Sequence, residues 1–112
     1  MSEKKVLEKI VFMILKLLVE KDYQELEKHS KGIRLSAQDI ERTIKEYNCQ
    51  LIIPPPDGYE LMDVIEVRGD EKWSIVMPLW SQEEGRSDLS IELTLIKDGD
   101  SFKFEIDDLH VL

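Results

Sequence analysis

Residues 88–112 read DLSIELTLIKDGDSFKFEIDDLHVL. Every odd position from Leu89 to Leu95 is Leu or Ile, and Ser90, Glu92 and Thr94 stand between them. Side chains of a strand point alternately to its two faces, so this pattern predicts a half-buried strand. Asp98-Gly99-Asp100-Ser101 supplies turn chemistry, after which Phe102, Phe104 and Ile106 alternate with Lys103, Glu105 and Asp107. The stretch is an antiparallel hairpin, and the fold can be argued outward from it.

The second strand changes parity at its end. Its apolar positions run 102, 104, 106 and then switch to Leu109 and Val111. A β-bulge at Asp107-Asp108 restores the core face and re-aims both carboxylates. Asp107, Asp108 and His110 are therefore the candidate pocket or metal residues, since carboxylate and imidazole together suit zinc or manganese. In a regular strand Asp108 and His110 share a face while Asp107 looks away. That supplies two ligands, and a third has to come from elsewhere, with His29 or Glu92 as the donors in view. A structural bulge or cap is the plainer explanation of the same residues.

Upstream, Leu61 to Arg68 and Trp73 to Trp80 predict two more strands around Gly69-Asp70-Glu71-Lys72. Pro78 cannot donate a ladder hydrogen bond and so marks an edge, a bulge or a strand end. A polar loop, residues 81–87, leads into the opening hairpin. Trp73 and Trp80 have opposite parity, so an unbroken strand exposes one of them. An exposed Trp80 beside Glu83, Glu84 and Arg86 is the expected partner-binding surface.

The first half is helical. Residues 4–20 carry apolar side chains at 6, 7, 10, 11, 13, 14, 17 and 18, with Phe12, Leu15 and Val19 widening the stripe. A helix apolar over most of its girth must be covered on more than one side. Asp22 and Glu25 open a short second helix through about Lys28, with Gly32 closing that region. Ser36 and Asp39 form a capping box, Leu35 and Ile40 a hydrophobic staple, and Asn48 stops the third helix. Leu51-Ile52-Ile53 reads as a short strand, and Pro54-Pro55-Pro56 holds the chain extended and bars a helix there.

Length and charge narrow the function classes. One domain is expected over residues 1–112, with a helical half 1–53 and a sheet half 57–112. The net charge of −9 is unevenly spread: residues 1–53 hold ten Lys/Arg and nine Asp/Glu, and residues 54–112 hold five and fifteen. The sheet half thus carries essentially the whole excess. It would repel a phosphate backbone, which argues against nucleic acid, and would steer a basic protein partner.

The apolar run Ile10 to Val19 is far shorter than the roughly 20 residues that span a bilayer. No small-residue cleavage site follows Lys4 and Lys5 with their apolar run, so a core helix in a cytoplasmic protein is expected rather than a signal or a membrane anchor. A lone Cys49, placed after a helix C-terminus, fits a bland thiol. Arg68-Gly69-Asp70 reads as a turn rather than an adhesion tripeptide. No nucleophile elbow, phosphate loop or paired zinc motif is present, so catalytic residues and a cofactor are not implied.

Helix, short helix, helix and a strand meander give an α+β fold, with N-terminal helices packed on one face of an antiparallel sheet. The order resembles the nuclear-transport-factor-2-like superfamily in the opening helix ending Val19-Glu20-Lys21-Asp22-Tyr23, the capped segment 35–40 and the strand Phe104 to Leu109. That resemblance implies a cone-like, cystatin-like sheet. Residues 79–89 and 105–112 also look like a family of small uncharacterised bacterial domains, which implies no particular activity. Three functions follow as expectations. The first is a non-catalytic, immunity-protein-like interaction module. The second is a small-molecule-binding or catalytic cone with its mouth near Asp107, Asp108 and His110. The third is a homodimer joined by the outer face of the sheet.

Overall fold

The computed structural model describes residues 3–30, 36–47, 50–67, 69 and 71–111. Three helices come first: α1 (Glu3–Val19), α2 (Tyr23–Ser30) and α3 (Ala37–Tyr47). Five strands follow: β1 (Leu51–Ile52), β2 (Asp63–Val67), β3 (Lys72–Ser81), β4 (Gly85–Asp98) and β5 (Ser101–Val111), with a 3-10 helix over Pro56–Leu61 between β1 and β2. The fold is the expected α+β arrangement. Gly32, Leu35, Asn48, Cys49, Arg68 and Asp70 lie outside the described residues.

The helix ends follow local chemistry. Ser36 Oγ accepts the Asp39 N–H at 3.1 Å while Asp39 Oδ2 accepts the Ser36 N–H at 3.2 Å, the reciprocal capping box. Glu27 Oε1 accepts the Ala37 N–H at 3.1 Å and ties α2 to the start of α3. At the end of α1 the Asp22 N–H reaches the Leu17 carbonyl at 2.9 Å and the Lys21 N–H the Leu18 carbonyl at 3.1 Å. This Schellman ending puts Lys21 at φ 62°, where glycine is the usual occupant.

All strand pairings are antiparallel. β3, β4 and β5 run as a meander, and β1 and β2 share the other edge of β3, against Ser81–Trp80 and Val76–Lys72 respectively. Trp73, Ile75, Met77 and Leu79 of β3 and Leu89, Ile91, Leu93 and Leu95 of β4 are buried. They join Leu7, Val11, Ile14, Leu15 and Leu18 of α1, Leu26 of α2 and Ile40 of α3 in one cluster. The helices therefore cover the face that carries the odd-numbered residues of β3 and β4, and the apolar area they remove from water is the main driving force for the fold. Among the described residues, α1, α2 and α3 leave the opposite, outer face uncovered.

Three expectations change. Pro56 does not extend the polyproline segment but starts the 3-10 helix, at a first-turn position where a missing N–H costs nothing. The loop over residues 81–87 shrinks to Gln82–Glu84, because Gly85 at φ 72° turns the chain at once into β4. The strand expected from Leu61 starts only at Asp63, since the 3-10 helix takes Leu61. The expected irregularity at Pro78 is present as a register shift between Pro78 and Trp80.

Candidate functional site

The parity break in β5 is a bulge. Glu92 pairs with Asp108 and Leu93 with Ile106, so Asp107 is the extra residue. Without it, Asp108 and His110 would follow Phe102, Phe104 and Ile106 onto the helix-covered face. The extra residue rotates them outward and sends Leu109, 6% exposed, into the core. Burial of Leu109 and solvation of two ionisable groups both favour the bulged register.

On the outer face the register places Asp63, Val76, Glu92 and Asp108 in one row across four strands, with Ser90 and His110 in the next. Glu92, Asp108 and His110 converge: their ligand atoms lie within 4.8 Å of one another. His110 Nδ1 stands 3.2 Å from Glu92 Oε2 and 3.2 Å from Asp108 Oδ2. That nitrogen is sealed from solvent yet makes no hydrogen bond, so neither oxygen lies on its bonding axis. Asp108 Oδ1 also accepts the Leu109 N–H at 2.8 Å, which holds the carboxylate at the bulge. Asp107 is turned to a different task, accepting a 2.6 Å hydrogen bond from Thr94 Oγ1.

Of the two third donors expected, Glu92 is the one brought to the pair. His29 lies on the other side of the sheet, 2.9 Å from Glu25 Oε1 and with its ring centroid 6.0 Å from that of Phe104.

The expected partner surface is arranged differently from an exposed tryptophan among acids. Trp80 is half-buried, and its six-membered ring lies over Gly58: a Cβ there would come within 2.9 Å of the Trp80 Cη2 atom. Glu83 accepts the Gln50 N–H at 3.1 Å and stitches the β3–β4 turn to the start of β1. Glu84 and Arg86 are exposed in and after that turn. What sequence reasoning left out is the apolar part of the outer face, where Ile65 is 66% and Val67 38% exposed. The signal was there in the alternation of Asp63, Ile65 and Val67, once it is known which face the helices take.

Among the described residues no helix is long and apolar enough to cross a membrane. Residues 15–112 match the model of a family described as a domain of unknown function, DUF7668. The chain belongs to this family. The match begins inside α1 and takes in every element that builds the outer face. No curated protein and no solved structure matches the chain.

Proposed function

We propose that the protein is a non-catalytic interaction module that receives a basic protein partner on the outer face of its sheet. The observation that carries this is the row Asp63–Val76–Glu92–Asp108 across the face that α1, α2 and α3 leave uncovered among the described residues. Asp63 stands beside exposed Ile65 on β2, and Glu92, Glu105 and Asp108 follow on β4 and β5 of the same face, while Lys72 and Lys103 share the row of Val67 at its end. Such a face favours fast, salt-sensitive association with a cationic surface. The inward positions Leu89, Ile91, Leu93 and Leu95 of β4 are apolar, which supports binding rather than catalysis inside a cone.

A one-domain cytoplasmic bacterial protein of the immunity type, neutralising a basic toxin, is the concrete form of this reading. Kinship with the nuclear-transport-factor-2-like superfamily belongs to the same proposal and is supported by the order of helices and strands. Affinity capture of the partner at low and high salt, repeated with Asp63→Lys and Glu92→Lys, tests it. Capture should fall in high salt and in both variants. Capture indifferent to salt and to both reversals overturns it, and a dimer by light scattering in wild type but not in Ile65→Lys would assign the face to a second copy.

A further inference from the structure

Glu92 and Asp108 are directly opposite on adjacent strands. Two carboxylates so placed repel each other and cost stability unless a cation stands between them. His110 completes the third corner, with Nδ1 3.2 Å from an oxygen of each.

A hydrogen-bonded imidazolium would point its N–H at one of these oxygens, and Nδ1 points at neither. Ligands of a tetrahedral zinc ion at about 2.0–2.1 Å stand ~3.3 Å from each other, off one another's bonding axes. The two nitrogen–oxygen separations already have this value. The remaining gap, between the two carboxylates, closes by side-chain rotation, since Glu92 and Asp108 side chains are 38% and 55% exposed. The exposed side of Asp108 admits water as a fourth ligand.

We infer that Glu92, Asp108 and His110 form a binding site for one divalent transition cation of the zinc class. One imidazole and two carboxylates select a borderline cation over magnesium or calcium, which take oxygen alone. The bulge is the device that makes the site, because the extra residue at Asp107 moves two of the three ligands to the face of the third. The Asp108 Oδ1 bond to the Leu109 N–H holds one ligand in orientation as an outer-shell contact does.

Calorimetric titration of chelator-treated protein with Zn²⁺, Mn²⁺ and Mg²⁺ tests this. Zn²⁺ should bind at one site per chain, more tightly than Mn²⁺, with Mg²⁺ failing to compete. Glu92→Gln, Asp108→Asn and His110→Gln should each weaken Zn²⁺ by at least ~10-fold, the effect of losing even an outer-shell partner. His29→Gln and Cys49→Ser should leave it unchanged. Should a ligand variant misfold, Mn²⁺ added to wild-type protein answers the same question. Its paramagnetic broadening of amide NMR signals should centre on residues 92 and 108–110. Absence of a saturable site, a site that survives all three ligand variants, or broadening centred on His29 overturns the inference.

Discussion

Thr94 Oγ1 donates a 2.6 Å hydrogen bond to Asp107 Oδ2, joining the middle of β4 to the extra residue of β5. The bulge is thus held on both sides. Leu109 is drawn into the core on one, and Asp107 is fastened to the neighbouring strand on the other. Thr94→Val keeps the shape of the side chain and removes the donor. Bonds to charged groups contribute more than neutral ones, so the variant should lose about 1–2 kcal/mol in urea unfolding. It should also weaken any Zn²⁺ bound at Asp108. Unchanged unfolding would mean that the bulge is fixed by Leu109 alone.

Gly58 owes its identity to Trp80. A Cβ at this position meets the indole at 2.9 Å, closer than side chains pack, and the ring is wedged against the 3-10 helix. Gly58→Ala should cost ~1–3 kcal/mol through overpacking, with a shift in tryptophan fluorescence as the ring is displaced. Gly58→Ala in a Trp80→Leu background should cost less, since the two positions share one contact.

Lys21 holds a left-handed conformation at φ 62° to close α1. A side chain there carries a steric penalty that glycine avoids. Lys21→Gly should therefore stabilise the fold by about 0.5–1 kcal/mol, the larger entropy of glycine in the unfolded chain taking back part of the gain. Thermal unfolding measures it, and a lower midpoint would show that the Lys21 side chain contributes more than its backbone strain.

The capping box has a pH signature. Backbone and side-chain hydrogen bonds from Ser36, helped by the neighbouring Arg42, hold the Asp39 carboxyl below its ordinary value of 3.8. A depressed folded value means that the contribution is present above about pH 3.8 and is lost as pH falls through the folded value. Ser36→Ala should destabilise by ~1 kcal/mol at neutral pH and by less in acid. Equal losses at both pH values would separate the cap from the charge of Asp39.

Tyr59 behaves oppositely. Its hydroxyl is buried with no hydrogen-bond partner among the described residues, and burial, then the charge of Glu8, raises its pKa above 10.0. Folding therefore carries no ionisation cost from this group below pH 10.0 and loses stability as pH rises from there through the folded value. Ultraviolet titration should find a tyrosine step above pH 10.0. Tyr59→Phe removes the late step and, by deleting an unsatisfied polar atom, should leave stability equal or higher by up to about 1 kcal/mol. A clear loss would indicate a bound water between Tyr59 and Glu8.

Much of this molecule is decided within a few residues of chain. The alternation of Leu89, Ile91, Leu93 and Leu95 makes a strand whatever surrounds it, and Ser36 with Asp39 starts a helix by its own hydrogen bonds. Even the bulge is legible, because a parity change from Ile106 to Leu109 has only one economical solution in a strand with a buried face.

Tertiary structure decided the rest, through contacts between residues far apart in the sequence. The covering of the odd face by α1, α2 and α3 settled which side Glu92, Asp108 and His110 would share. Register, set by side-chain burial on two strands at once, chose Glu92 over His29. The close approach of Gly58 turned Trp80 from an expected surface anchor into a half-buried one. Each depends on where one element packs on another, and the alternation within a single strand does not carry that information.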